Sequence, residues 1–158
     1  MRKVTKKLWR KRGFTLIELM IVIGIIAAVS LIAYPSYKSA KRDSEINAHA
    51  KVLMSDIRFI QQLSVEEKTE YKIKFYSDWT GYDIIAEGKK VKSVTLENGL
   101  TLLCDKTEII VNDKGLHVDI NNVNLEDYIS LKNGKGSAYV HIYSGGKVEM
   151  LWDKPKSS

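Results

Sequence analysis

The sequence predicts an α+β fold in which one long N-terminal helix, apolar in its first half and amphipathic in its second, packs on an antiparallel β-rich head of two small sheets. Three observations predict it. Residues 14–34 form a run of 21 residues with one formal charge, Glu18. Ile46, Ala50, Leu53, Ile57, Ile60 and Leu63 follow at spacings of four, three, four, three and three, which is one face of a helix. Beyond residue 65 the period changes to short alternating apolar stretches separated by glycine-containing turns.

The first element is a basic leader. Arg2, Lys3, Lys6, Lys7, Arg10, Lys11 and Arg12 supply seven positive side chains with no acid before Phe14. The whole chain carries +6 and a pI near 9.3, but without those seven residues it has 18 basic against 19 acidic side chains. The basic character belongs to the leader and leaves with it. At about 1.5 Å per residue the apolar run is about 31 Å long as a helix, matching a hydrocarbon core of about 30 Å. Positive charge before it places the N-terminus in the cytoplasm and the rest outside.

Three readings fit such a segment: a cleaved secretory signal, a permanent anchor, or a span processed at its cytoplasmic edge. The run is long for a secretory signal and has no small-x-small site before polar sequence. An ordinary anchor accounts for length and orientation but not for Glu18. A carboxylate in the apolar span costs on the order of 3 kcal/mol and calls for a cation at similar depth.

The residues Arg12-Gly13-Phe14-Thr15-Leu16-Ile17-Glu18, followed by an apolar helix, resemble the class III signal of type IV pilins and type II secretion pseudopilins. The resemblance implies cleavage between Gly13 and Phe14 by a prepilin peptidase and N-methylation of Phe14. It makes Glu18 the assembly residue, which in a filament pairs with the new amine of a neighbouring subunit. Pro35 matches that family's helix-bending proline, and Gly24 adds a weak point in the same helix.

The amphipathic stretch spans 35–64 and, continuous with the apolar run, gives an expected helix of about 75 Å. Lys41, Arg42, Asp43, Lys51, Asp56 and Arg58 fall mainly off its apolar stripe. In the expected head, 65–158, "YKIKFYSD" alternates, and "VKSVTLENGLTLLCD" places Asn98-Gly99 between two apolar runs as a two-residue hairpin turn. "EIIVNDKGLHVDI" repeats the plan around Asn112 to Gly115, and "YVHIYSGGKVEMLW" around Gly145-Gly146. Seven or eight short strands result. Cys104, the single cysteine, excludes an internal disulfide and reads as a buried strand residue.

This order of elements is most similar to the GspH/FimT-like minor pseudopilins and minor pilins, on the residues "TEIIVNDKG", "DYISLKN" and "AYVHIYSGGKVEML". That pilin-like resemblance implies other pilin or pseudopilin subunits, the peptidase and an inner-membrane assembly platform as partners, with membrane lipid around the helix before assembly. It implies storage in the bacterial inner membrane, then a pilus or pseudopilus. The lack of a C-terminal cysteine pair favours a minor over a major subunit.

The remaining candidates are weaker. His49, His117 and His141 are scattered without acids or cysteine at ligand spacing, so no zinc site is expected. No nucleophile elbow or phosphate loop is present, so neither catalysis nor a cofactor is expected. "DINNVNLED", Asp119 to Asp127, is rich in oxygen ligands but lacks the spacing of a calcium loop. Lys147, Lys154 and Lys156 near Tyr143 and Trp152 are the residues a DNA-binding head would use, although Glu149 and Asp153 are interspersed. Trp79 and Tyr82 in "SDWTGY" fit either a subunit contact or the core. A DNA-uptake minor pilin and a plain membrane-anchored domain stand as alternatives to the filament subunit.

Overall fold

The computed structural model describes residues 14–119, 121, 125–134 and 136–153. Helix α1 spans Leu16–Glu67, past the boundary expected at residue 64. Nine strands follow among the described residues: β1 Tyr71–Phe75, β2 Gly81–Ala86, β3 Lys89–Thr95, β4 Thr101–Leu103, β5 Glu108–Val111, β6 His117–Val118, β7 Asp127–Asn133, β8 Gly136–Ile142 and β9 Val148–Leu151. They form two antiparallel sheets, ordered β3-β2-β1-β5-β6 and β4-β7-β8-β9. The long helix and paired sheets are the α+β architecture the sequence predicts. The chain divides into two compact units, one up to Ser39 and one from Ala40 onward.

In the second unit the helical stripe is the spine of the core. Ile46, Ala50, Leu53, Ile57 and Ile60 are all at most 1% exposed, and burying each large side chain contributes roughly 2 kcal/mol. Strand alternation supplies the facing layers. Ile73 on β1 lies between Ile84 on β2 and Ile109 on β5, three buried isoleucines in one cross-strand row. In the other sheet Ile129 lies opposite Val140, and Leu131 opposite Ala138. Polar side chains of α1 reach the β8–β9 turn: Arg58 Nη2 donates to the Val148 carbonyl at 3.0 Å and Gln61 Nε2 to that of Gly146 at 2.9 Å.

Two of the three expected hairpins form. Asn112–Gly115 joins β5 to β6, and Gly145-Gly146 joins β8 to β9. The third does not. Asn98-Gly99 makes a tight turn, with the Leu100 N–H donating to the Glu97 carbonyl at 3.1 Å, but β3 pairs with β2 and β4 with β7. The turn therefore carries the chain from one sheet to the other. The flanking Leu96 and Leu100, 8% and 2% exposed, are buried where the crossing passes over the core, which overrides the local pairing preference. Cys104 also departs from expectation: it follows β4 rather than lying in a strand and is only partly buried.

Asp56 is the largest departure on α1. Grouped with the residues that fall mainly off the apolar stripe, it is only 6% exposed. Its carboxylate accepts the Tyr82 hydroxyl at 2.9 Å and Lys92 Nζ at 2.6 and 2.8 Å. Lys92 lies opposite Ile84 on the inward face of β3, so the three side chains fasten an edge strand to the helix. Burial, followed by the Asp56 charge and hydrogen bond, pushes the Tyr82 phenol far above its ordinary value.

Candidate functional site

The first unit contains the feature in need of a function. From Phe14 to Tyr37 every residue is exposed, including Phe14 at 79%, Leu31 at 79% and Ile32 at 81%. Among the described residues no side chain of this stretch is buried, so lipid or other helices must cover its apolar surface in any stable state. It is the helix among the described residues long and apolar enough to cross a membrane. Ser30, a polar residue within it, donates its hydroxyl to the Ile26 carbonyl at 2.7 Å and leaves no orphan donor facing that surface.

Glu18 has an internal role that sequence reading missed. Thr15 precedes the first helical residue, and its hydroxyl accepts the Glu18 N–H at 3.2 Å. The Glu18 carboxylate reaches back to the Thr15 N–H at 3.4 Å, with the Thr15 hydroxyl 3.5 Å away. This is a capping box, Thr-x-x-Glu, and it satisfies donors that a helix start otherwise leaves bare. The carboxylate also sits at the positive end of the helix. The four-residue signal was legible at 15–18. The helix continues through Gly24 and Pro35; a Cβ on Gly24 would meet nothing within 4 Å, and Pro35 supplies no backbone N–H to its own turn. Gly13, on the leader side of the expected cleavage bond, lies outside the described residues.

In the head the candidate polar residues are spoken for or dispersed. Lys147 Nζ pairs with Glu149 at 2.6 Å and sits 5.4 Å from the Tyr143 ring centre, while the Tyr143 hydroxyl donates to Glu149 at 3.1 Å. Lys154 and Lys156 lie outside the described residues. His49 is on α1, His117 on β6 and His141 on β8. Among the described residues no three His, Cys, Asp or Glu side chains are grouped to hold a metal ion. Of the Asp119–Asp127 cluster, residues 120 and 122–124 are outside the description. Asp127 is turned inward, 2.8 Å from Lys106 Nζ and 3.6 Å from His117 Nε2. Burial pushes its carboxyl up, but the His117 and Lys106 contacts outweigh burial and leave it below the usual range. Burial pushes the Cys104 thiol up to about 11, which keeps it protonated and unreactive at neutral pH. Trp79 packs partly buried against Phe75, ring centres 5.8 Å apart, and Tyr82 belongs to the core.

Comparison with known proteins points to the same N-terminal segment. Residues 10–34 match the family described as the prokaryotic N-terminal methylation motif. The chain is 34% identical over 98 residues to a fimbrial protein of Neisseria meningitidis serogroup B, covering 57% of this chain and 52% of that one. It is 29% identical over 133 residues to the type IV major pilin protein PilE1 of Neisseria gonorrhoeae, covering 78% and 66%. It thus spans about half to two thirds of these curated relatives. Among solved structures, the type IV minor pilin FimU of Pseudomonas aeruginosa matches with a TM-score of 0.57 at 14% identity, covering 68% of this chain and 88% of that one. The minor pseudopilin EpsH of the Vibrio cholerae type 2 secretion system matches with a TM-score of 0.56 at 13% identity, covering 68% and 97%. At such identities the structures show a shared fold, while the N-terminal motif and the sequence relatives carry the kinship. The N-terminal motif and these relatives together support the type IV pilin and pseudopilin family for this chain.

Proposed function

We propose that this chain is a minor pilin or pseudopilin, a non-enzymatic structural subunit of a type IV pilus or type II secretion pseudopilus. In this reading a prepilin peptidase cuts between Gly13 and Phe14 and methylates Phe14. The precursor waits as a single span of the bacterial inner membrane, N-terminus in the cytoplasm and head outside, and an inner-membrane platform then draws it into the filament. The carrying observation is the exposed apolar stretch from Phe14 to Tyr37, whose first helical turn holds one carboxylate.

The capping box suggests how the acid is carried before assembly. Cleavage leaves a cationic amine on Phe14, adjacent to Thr15, so in a lone subunit Glu18 is engaged at its own helix start. In a filament it faces the amine of a neighbour, where pairing offsets the desolvation of both charges. Head-to-tail repetition of that contact gives an open filament. The minor assignment is supported by the single cysteine and by a head resembling proteins described as minor subunits. The identity to proteins described as major pilins supports the family more than the position.

The test is incorporation of Glu18→Ala in cells carrying the rest of the machine. Cleavage and membrane insertion should persist while recovery in sheared filaments falls by about tenfold or more, since one buried charge loses its partner. Normal incorporation would remove this account of the acid.

A further inference from the structure

Glu45 on α1 gathers two turns of the head. Asn98 Nδ2 donates to Glu45 Oε1 and Asn133 Nδ2 to Oε2, each at 3.4 Å, and Lys41 Nζ lies 3.9 Å from Oε1. Asn98 is exposed and followed by Gly99. Both are left-handed, with φ of 59° and 71°, and nothing lies within 4 Å of where a Cβ would stand on Gly99. An unshielded Asn-Gly pair is therefore held against a carboxylate at the crossing from β3 to β4.

We propose that Asn98 is a site of spontaneous deamidation whose product charge is set against Glu45, so that modification releases the inter-sheet turn from α1. The Gly99 amide nitrogen attacks Asn98 Cγ and gives up its proton. The new N–C bond closes a five-membered imide, the bond from Cγ to Nδ2 breaks, and ammonia leaves with the proton. Water then opens the imide at either carbonyl, yielding aspartate or isoaspartate. Water is the sole co-reactant. Glycine favours the step because its nitrogen is unshielded and its backbone rotates freely into the attacking geometry.

The surroundings give the reaction a consequence. Before it, an amide donor meets a carboxylate acceptor; after it, two carboxylates do, and Lys41 offsets only part of the repulsion. The Glu45 side chain is 22% exposed, so water screens the new pair less than at an open surface. The isoaspartate product also lengthens the backbone between Leu96 and Leu100, the two buried leucines that seat the crossing.

The experiment uses the full chain in detergent, held at mildly alkaline pH and followed by peptide mass spectrometry. The peptide containing Asn98 should acquire the mass of an amide-to-acid exchange, and an Asn98→Gln chain should not acquire it there. Separately, Asn98→Asp should lower the thermal midpoint by about 3 °C, and adding Glu45→Gln should restore most of that loss. Two results would overturn the proposal: an unmodified Asn98 peptide under conditions that convert the denatured chain, or an Asn98→Asp midpoint equal to the parent's.

Discussion

Replacing Asp56 with alanine should destabilise the head more than loss of a surface acid does. The substitution strands the Tyr82 hydroxyl, in a side chain 1% exposed, and an unsatisfied buried donor costs about 1–3 kcal/mol. It also removes the carboxylate facing Lys92, whose side chain is 44% exposed; solvent screening limits that part to about 0.2–1 kcal/mol. Together these give about 1–4 kcal/mol, the middle of which, for a unit of this size, lowers the thermal midpoint by about 10 °C. Near-ultraviolet circular dichroism of the chain in detergent reads it through Trp79 and Tyr82. Asp56→Asn, which keeps an acceptor for Tyr82, should cost about 1 kcal/mol. Adding Tyr82→Phe to Asp56→Ala should recover about 1 kcal/mol or more, because the orphan hydroxyl is then gone. A midpoint shift below about 2 °C for Asp56→Ala, or strict additivity with Tyr82→Phe, would refute the inference that this acid fastens β3 to the helix.

Two further outcomes follow from single residues. A Cβ on Gly81 would stand 2.3 Å from the Val94 carbonyl oxygen and 2.7 Å from the Tyr76 ring; Gly81→Ala should therefore cost about 3 kcal/mol, read as a fall in midpoint, and a loss below about 1 kcal/mol would contradict that crowding. The Tyr71 hydroxyl donates to Glu67 at 2.6 Å, and that bond, with burial and the charges of Glu67 and Glu87, pushes the phenol up to about 12 from 10.0. The folded state holds this proton more tightly, so its stabilisation is complete below pH 10.0 and disappears as pH rises toward about 12. Denaturant titrations should show Tyr71→Phe flattening the loss of stability across that window; an unchanged slope would remove the assignment.

What was legible in the sequence followed from periodicity and composition. A run of 21 residues with one charge and a stripe at helical spacing admit few arrangements, and both appear as read. Local turn chemistry located the β5–β6 and β8–β9 hairpins because their strands are neighbours in both sequence and space. It failed at Asn98-Gly99 because turn preference fixes how the chain bends, not which sheet receives the next strand. Asp56 was misread for a related reason: helical spacing places it beside Ile57 and Leu53, but its burial depends on Lys92 and Tyr82 arriving from β3 and β2. Tyr82 itself, which from sequence fitted either a subunit contact or the core, is the second residue of β2 and belongs to the core. The Thr15–Glu18 capping box was readable at its spacing and was eclipsed by the question of what partners the acid in a membrane.

The central claim is that this helix is released at its cytoplasmic edge and built into a filament. Intact-mass and N-terminal analysis of the membrane-extracted chain, produced together with a prepilin peptidase, tests it most directly. The account predicts a chain that begins at methylated Phe14; a chain that still begins at Met1 would contradict it and leave Glu18 as the cap of an ordinary anchor.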